Sequence, residues 1–509
     1  MRTLLRNAAL SPFGTAMLID GDRVGWVGDD AEASRYVDQA DTVLDVGGRL
    51  VTPAFVDAHV HLSQTGVRLR SVDLAVATRA SDVLDAIAER ARTQDVGVLL
   101  GFNWDETTWS DRTLPTAAEL DRAAPGRHVY LSRVDGHSGI VSAALADHVP
   151  GIAEAEGWDG TGRVERDAHH LVRDVISALT TKSQVKRSLV AALAEAVEVG
   201  LGSVHELSAP HLNAPGDLEL IREIGEQVPI LDVIPYWGEH VSTGGVERAR
   251  ELGFRGAAGD LNVDGAFGSR TAALQADYAD RPEHRGHRYL DPEAVAAHVV
   301  ACTRAGLQAG YHCIGDAGTA SAVDGFRLAV KEIGIEAVRA ARHRLEHVEL
   351  IDLTSLTDLA EWGVVASVQP AFDAAWGGTE KMYAERLGAE RALASNPLRS
   401  FHAAGITLAF GSDSPVTPLD PWGGVRAAVL HHNENERLPV DVAFAAHTVG
   451  GWRAAGVDDA GELRQGQLAS YAVWDTSAFP ALAEGETAPK CLRTVVRGKI
   501  VFDEEGALG

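Results

Sequence analysis

The segment TPAFVDAHVHLS, residues 52–63, carries a short apolar run that ends in two histidines. Such a run predicts a β-strand over residues 54–62. Side chains two positions apart on a strand point to the same face, so His59 and His61 can reach one metal ion. An isolated His-x-His pair is weak evidence, and the rest of the chain decides whether it belongs to a metal site.

Further candidate strands follow this first one, and amphipathic helical stretches such as 291–306 and 319–333 lie between most of them. The predicted strands are 200–207, 229–237, 260–265, 307–313, 343–350, 364–370 and 406–413. Strands that alternate with helices are typical of a parallel sheet in the α/β class. Eight strands in this pattern favour a closed (β/α)8 TIM barrel over an open sheet.

Both ends of the chain are rich in short strands and turns. Because chain termini often lie close together on a domain surface, residues 1–52 and 465–509 are predicted to form one small β-sandwich domain. The barrel domain is then 53–464. The gap between the first two barrel strands is too long for a simple crossover, which predicts a large insertion over about 65–190 that caps the barrel mouth.

The composition limits the partners of the protein. Lys and Arg number 46 against 72 Asp and Glu, a formal net charge of −26, so a nucleic-acid or membrane-surface role is not expected. Cys302, Cys313 and Cys491 are too few for a disulfide framework and are expected to be free thiols. No signal peptide or membrane-spanning stretch is found, which predicts a cytoplasmic protein. The sequence leaves the oligomeric state open, a homo-oligomer included.

Other candidate metal ligands fall at the ends of predicted strands. His312 ends the fifth strand, His347 the sixth and Asp413 the eighth. All would emerge at the C-terminal mouth of the barrel, where barrel enzymes place their active sites. Taken singly, each has an ordinary structural interpretation, but together with the first-strand histidines they predict a metal site. Imidazole and carboxylate donors suit Zn²⁺, Fe²⁺ or Mn²⁺, and zinc is the first expectation.

With these residues in place, the chain resembles the amidohydrolase superfamily, specifically its YtcJ-like branch (amidohydrolase family 3). The resemblance spans nearly the whole chain. It rests on TPAFVDAHVHLS (52–63), FNWDETTW (102–109), RVDGHSG (133–139), VDGAFGSRTAAL (263–274), HCIGDAG (312–318), RLEHVEL (344–350) and GSDSPVTPLDPW (411–422). It implies a metal-dependent hydrolase, often with two metals. Characterised members of the branch include N-substituted formamide deformylases.

One position departs from the family pattern. Relatives commonly carry a lysine at the end of the fourth strand, carboxylated so that it bridges two metals, and Asp260 stands at that position here. In one interpretation Asp260 supplies the bridging carboxylate directly. In the other, the first-strand histidines and Asp413 hold a single ion, with His312 or His347 completing the shell and Asp260 structural. One ion and two remain equally open.

The residues predicted to contact the substrate come from the insertion and from the barrel. They are Trp104, Asp135, His137, His205 and Arg270. Asn103, Asp105 and Glu106 match the same family motif as Trp104, with a polar turn as the alternative.

Arg270 is expected to bind a substrate carbonyl or carboxylate, or else to pair with a nearby acid. His205 and Glu206 end the second strand, and His205 points into the site or is structural. Trp376 and Tyr383 line an apolar subsite or simply pack.

The predicted reaction is hydrolysis of an amide-like C–N bond in an N-acyl or N-formyl small molecule. A divalent metal lowers the pKa of bound water to about 7. Asp413 then acts as general base, and His347 or His205 helps the metal to polarise the carbonyl. Two alternatives stay open: a metal-dependent ester, lactone or carbamate hydrolase, and a non-catalytic binding protein that keeps the barrel as a scaffold.

Overall fold

The computed structural model describes residues 1–10, 14–93, 97–210, 212 and 216–504 of the 509-residue chain. Its strands in chain order are β1 (Arg2–Arg6), β2 (Ala16–Asp20), β3 (Arg23–Gly28), β4 (Thr42–Asp45), β5 (Val51–Pro53), β6 (Phe55–Val60), β7 (Val72–Asp73), β8 (Leu99–Trp104), β9 (Val129–Arg133), β10 (Ser138–Val141), β11 (Arg163–Glu165), β12 (Leu201–Ser208), β13 (Asp232–Trp237), β14 (Gly256–Ala257), β15 (Gln308–Cys313), β16 (Arg344–His347), β17 (Val365–Val368), β18 (Leu408–Phe410), β19 (Tyr471–Trp474), β20 (Cys491–Val496) and β21 (Lys499–Asp503).

The α-helices lie mainly between the barrel strands and in the insertion. They are α1 (Asp30–Ala33), α2 (Leu62–Leu69), α3 (Ala80–Thr93), α4 (Ala117–Ala123), α5 (Ala143–Ala146), α6 (Arg166–Leu179), α7 (Lys182–Glu198), α8 (Gly216–Gln227), α9 (Gly245–Glu251), α10 (Pro292–Ala305), α11 (Asp316–Ile333), α12 (Ile335–Ala341), α13 (Leu356–Glu361), α14 (Pro370–Trp376), α15 (Met382–Leu387), α16 (Ala389–Leu393), α17 (Leu398–Ala403), α18 (Pro421–Val429), α19 (Val440–Ala446) and α20 (Val449–Ala454). No helix among the described residues combines the length and hydropathy that a bilayer crossing requires.

Eight parallel strands form the central sheet, in the order β6, β12, β13, β14, β15, β16, β17, β18. The last strand returns to the first, because the amide of His61 donates to the carbonyl of Ser414 at 2.9 Å and the amide of Asp413 donates to that of His59 at 2.7 Å. Buried apolar residues from the strands and from the surrounding helices form the largest core. The predicted (β/α)8 barrel is confirmed.

The fourth barrel strand differs from its prediction. The strand was expected at 260–265, but the structure places it at Gly256–Ala257, where short apolar residues fit between β13 and β15. The chain then turns at Gly259, whose φ of 101° suits glycine. It rejoins β15 only through a bridge between Asn262 and His312. Asp260 therefore lies just beyond the strand end, at the mouth.

Two four-stranded sheets formed by the chain termini lie beside the barrel. One has the order β3, β2, β1, β4, and the other has the order β21, β20, β19, β5. Apolar side chains of both sheets, among them Leu5, Met17, Val51 and Val473, share one buried cluster, as expected for a small sandwich. Because β5 is followed at once by β6, the sandwich is attached directly to the first barrel strand.

The segment between β6 and β12 contains a sheet of its own, in the order β11, β10, β9, β8, β7. It has two separate apolar clusters, so it does not depend on the barrel core. Helices α2 and α7 pack side by side where this insertion joins the barrel. Gly66 permits that close approach, because a Cβ there would meet the carbonyl oxygen of Ser188 at 1.8 Å.

Candidate metal centre

The C-terminal ends of β6 and β18 bring two imidazoles and a carboxylate together at the barrel mouth. The Nε2 atom of His59 lies 3.3 Å from Oδ1 of Asp413, and Nε2 of His61 lies 3.2 Å from the same oxygen. All three residues are buried. Both rings lie on one face of the strand, as the His-x-His spacing predicts, and both face the same carboxylate.

Asp260 lies on the other side of these histidines. Its Oδ2 is 3.0 Å from Nε2 of His61, while its Oδ1 is 3.7 Å from Nε2 of His59 and 3.6 Å from Nδ1 of His312. Oδ2 thus faces only the His-x-His pair, whereas Oδ1 faces both that pair and His312 of β15. This is the placement expected of a bridging ligand.

His312 and His347 complete the group. Their ring centroids are 4.4 Å apart, and the ring of His347 lies 4.9 Å from that of His59. Donor atoms of His59, Asp260 and His347 lie within 4.8 Å of one another, as do those of His59, His61 and Asp413. The structure therefore brings together all six residues that the sequence analysis proposed as ligands.

Hydrogen bonds behind three of the rings determine which nitrogen faces the centre. Nδ1 of His59 lies 3.0 Å from Oε2 of Glu346, and Nδ1 of His347 lies 2.8 Å from Oε1 of Gln369. Nε2 of His312 lies 3.2 Å from the carbonyl oxygen of Gly265. Each outer nitrogen donates its proton to an oxygen, so in the neutral ring each inner nitrogen presents a lone pair, as in metal-ligating histidines.

The inner atoms lack well-aligned hydrogen bonds of their own. Among the described residues, Nε2 of His59, Nε2 of His347 and Oδ1 of Asp260 are buried without a hydrogen-bond partner. Buried polar atoms are normally satisfied, and leaving them unsatisfied is costly. Imidazole and carboxylate donors that converge in this way fit a divalent cation.

Unusual backbone conformations aim two of the ligands. His347 has φ 69° and Asp413 has φ 54°, both in the left-handed region that non-glycine residues seldom adopt. In a regular strand, neighbouring side chains point to opposite faces. The turn at His347 lets it and Glu346 both serve the same centre, one as a candidate ligand and one as the support of His59.

The carboxylates dominate the electrostatics of the site. Burial alone would lower the pKa of His59, but Asp413, Glu346 and Asp260 outweigh it and raise this pKa to about 10. Burial likewise opposes ionisation of Asp413, yet the neighbouring His59 and His61 keep its pKa below the usual range. Asp260 and Asp413 also outweigh burial and raise the pKa of His61, whereas burial first, and then the charge of His312, lower the pKa of His347 to about 3. The side of the centre next to the carboxylates therefore favours a positive charge.

A buried ion pair supports the centre from inside the barrel, and sequence reasoning missed it. Arg344 pairs with Glu346, donates to the carbonyl of Ala58 at 2.6 Å and lies 4.8 Å above the ring of Tyr236. Burial opposes ionisation of Glu346, but Arg344 and then His59 lower its pKa to about 2. The alternation of Arg344 and Glu346 in RLEH, two charges on one strand face, was the signal available in the sequence.

Two residues expected to contact substrate are placed elsewhere. His205 is fully buried inside the barrel, where its Nδ1 accepts a hydrogen bond from Arg344 at 2.9 Å, so the structural interpretation is the one observed. Trp104 is also fully buried, in the core of the insertion, and its Nε1 donates to the carbonyl of Leu131 at 3.0 Å. Trp104 is the last residue of β8, and its side chain lies on the apolar face of that strand, away from the mouth.

A cavity of about 1790 Å³ separates the insertion from the barrel mouth. The barrel contributes His61, Asp260, His312 and Asp413 to its wall, together with Arg270. The insertion contributes Asn103, Glu106, Asp135 and His137. The insertion therefore forms a cap whose inner surface faces the candidate ligands.

Ion pairs hold the polar residues of the cap in place. The guanidinium of Arg133, only 4% exposed, lies 2.9 Å from Asp105, from Glu106 and from Asp135. Arg270 likewise pairs with Asp280 at 2.6 Å, which is the alternative that the sequence left open for it.

The remaining candidates have structural contacts. Glu206 accepts a hydrogen bond from the amide of Leu62 at 2.7 Å, at the start of α2. Trp376 and Tyr383 pack with Phe267 in an apolar cluster beside the mouth.

A parallel (β/α)8 barrel with four imidazoles and two carboxylates at its C-terminal mouth has the architecture of the metal-dependent hydrolases. The sequence profile of the amidohydrolase family matches residues 42–502. The chain belongs to this family, and the predicted resemblance is confirmed.

Two curated relatives and one solved structure match almost the whole chain. The putative amidohydrolase YtcJ of Bacillus subtilis is 26% identical over 91% of this chain and 90% of its own length. The N-substituted formamide deformylase of Arthrobacter pascens is 24% identical over 97% of this chain and 95% of its own. An uncharacterized metal-dependent hydrolase from Pyrococcus furiosus superimposes with a TM-score of 0.77 at 26% identity, over 95% of this chain and 100% of that one.

Proposed function

We propose that this protein hydrolyses an amide-like C–N bond in an N-acyl or N-formyl small molecule with the help of a divalent cation. The observation that carries the proposal is the convergence of His59 and His61 on Oδ1 of Asp413, at 3.3 and 3.2 Å, beneath a cavity large enough for a small molecule. The similarity to an N-substituted formamide deformylase supports the choice of bond.

The donor set is sufficient for two ions. His59, His61 and Asp413 would hold one, and His312 and His347 would hold the other. Asp260 lies between the two groups, with one oxygen toward His61 and the other toward His312. When bound, a divalent cation polarises a carbonyl and makes water acidic enough to supply a nucleophile near neutral pH. Zinc fits this mixture of imidazole and carboxylate best, with iron and manganese as alternatives.

Asp413 is the residue placed to move the proton. It is buried except toward the cavity, and neighbouring imidazoles keep its pKa low, so it is an ionised acceptor. It takes a proton from the attacking water and delivers it to the nitrogen that leaves when the C–N bond breaks. The cap restricts the access of bulk water, which strengthens electrostatic interactions at the reacting carbonyl.

Turnover of a panel of N-formyl and N-acyl amines by the metal-reconstituted protein tests this proposal. Each amide is paired with the ester of the same acyl group, and the Asp413→Asn protein serves as the inactive control. Amide turnover that is lost on chelation and restored by metal is the expected result. Turnover of the esters alone would overturn the assignment of the bond, and no metal-dependent turnover of either would overturn the proposal.

A further inference from the structure

One half-buried arginine on the cap wall of the cavity has no ion-pair partner among the described residues. Arg173 lies on α6 and lines the cavity. Across the described ranges of the chain, its guanidinium forms neither an ion pair nor a side-chain hydrogen bond. In a chain with 72 acidic and 46 basic side chains, a partly buried arginine without an acidic partner is unexpected.

Five of the other arginines that line the same cavity are already paired, and Arg281 is exposed. Arg133 contacts three carboxylates, Arg163 pairs with Glu165 and Arg166 pairs with Glu156. On the barrel side, Arg270 and Arg386 share Asp280. The charge of each of these arginines is neutralised by an acidic side chain of the protein. Among the described residues, Arg173 has no such partner.

The surroundings of Arg173 suit an anion rather than a further cation. His169, four residues earlier on the same helix face, lies 2.6 Å from the hydroxyl of Tyr130. Burial first, and then the charge of Arg173, lower the pKa of His169, which disfavours a second positive charge beside the guanidinium. Tyr130, His137 and His169 all line the cavity.

The position of this cluster relates it to the candidate metal centre. His137 lies close enough to His312 and Asp260 for their charges to act on its pKa, and close enough to Arg173 for the same effect. Arg173, His137, His312 and Asp260 all line this one cavity. A small molecule bound in the cavity can therefore meet both the guanidinium and the candidate ligands.

We propose that Arg173 binds a carboxylate of the substrate, so that this enzyme acts on amides of amino acids or of similar amino-carboxylates with a free carboxylate. The planar guanidinium fork matches a carboxylate, and one unpaired cation balances one negative charge. The inference rests on the proposed function for the identity of the scissile bond. The recognition of the anion is independent of that bond.

Selectivity between matched substrates is the first test. For an N-formyl amino acid and its carboxamide, the ratio of kcat/KM values is measured in the wild type and in Arg173→Gln. The expected result is a fall of about 10- to 100-fold in the preference for the carboxylate, the effect of one charge-assisted hydrogen bond. Arg173→Lys should restore part of the preference.

Two other arginines provide matched controls. Arg187, exposed on α7 and outside this cavity, should leave the ratio unchanged when it is replaced by glutamine. Arg281 also lines the cavity but is exposed. A change in the ratio in Arg281→Gln with none in Arg173→Gln would overturn the proposal, as would a wild type that prefers the carboxamide.

Binding of an unreactive carboxylate separates this inference from the proposed function. The probe is the N-methyl amino acid, which keeps the carboxylate of the substrate but has no amide bond to hydrolyse. Its binding to the metal-loaded protein is measured by calorimetric titration. Weaker binding by about tenfold or more in Arg173→Gln supports the anion site even if no amide is turned over. Equal binding in both proteins overturns the anion site even if amides are hydrolysed.

Discussion

The same two residues, Asp413 and His59, join the last barrel strand to the first and contribute side chains to the candidate metal centre. The amide of Asp413 donates to the carbonyl of His59 at 2.7 Å, and Oδ1 of Asp413 lies 3.3 Å from Nε2 of His59. The register that joins the last strand to the first therefore also sets the distance between two candidate ligands. A shift of this register would separate them, which makes the barrel closure a condition for the chemistry.

Replacement of Asp413 by asparagine should abolish most turnover while the fold is kept. The amide cannot accept the proton from water, and general-base catalysis is worth about 10²- to 10⁴-fold. The measurement is kcat for the best amide found in the screen, with far-ultraviolet circular dichroism and Tm as the check on folding. Turnover within a few fold of the wild type would show that another group accepts the proton.

Metal content per chain should be two, and replacement of Asp260 by alanine should lower it to one or none. Asp260 faces histidines on both sides of the centre, His61 at 3.0 Å and His312 at 3.6 Å. Elemental analysis of dialysed protein measures this number directly. Two ions retained in Asp260→Ala would show that this residue does not bridge.

Metal reconstitution should not depend on bicarbonate. A bridging lysine requires carbon dioxide to become a ligand, whereas Asp260 already carries a carboxylate. The ions taken up by metal-stripped protein should therefore be equal in buffers with and without added bicarbonate. A requirement for bicarbonate would indicate that a lysine takes part in the centre.

Replacement of Gln369 by leucine should weaken metal binding about 10- to 100-fold, the usual effect of losing a group that orients a ligand. The amide oxygen of Gln369 accepts the Nδ1 proton of His347 at 2.8 Å, and leucine has no acceptor. Competition with a chelator of known affinity gives the dissociation constant. Gln369→Glu keeps an acceptor and should retain tighter binding, and equal affinities in all three proteins would argue against this role.

Replacement of Arg133 by glutamine should destabilise the cap by about 3–5 kcal/mol, because three carboxylates lose one buried partner. Hydrogen exchange in strands β8 to β10 measures the local effect. Arg79→Gln, which breaks an exposed pair with Asp82, is the control and should cost under about 1 kcal/mol.

The contribution of Arg133 should also depend on pH. Burial opposes ionisation of Asp135, but Arg133 and His137 lower its pKa below the usual value. Because the pKa of Asp135 is lower in the folded than in the unfolded protein, its ionised form stabilises the fold. This stabilisation is complete above the unfolded pKa of about 3.9 and is lost as the pH falls through the folded pKa. Cap stability in the wild type should thus decline below about pH 4, with a smaller decline in Arg133→Gln. Identical pH profiles would contradict the prediction.

The amino-acid sequence by itself determined the barrel and most of the centre. Apolar runs of strand length, with helices between them, predict parallel strands from local pattern alone. Because the ends of parallel strands meet at one mouth, His59, His61, His312, His347 and Asp413 could be placed together without coordinates. The motif spacing also singled out Asp260, although its strand was predicted a few residues too late.

Tertiary structure decided which neighbours support these ligands and which candidates face the cavity. The pairing of Glu346 with His59 joins residues 287 positions apart, and no local pattern encodes it. His205 and Trp104 fit motifs for the site, but strand register turns one into the barrel interior and the other into the cap core. Arg173 gave no sequence signal, since its lack of a partner depends on where the cap folds against the barrel. Local spacing fixes elements and their ends, whereas contacts across the barrel depend on how those elements close on one another.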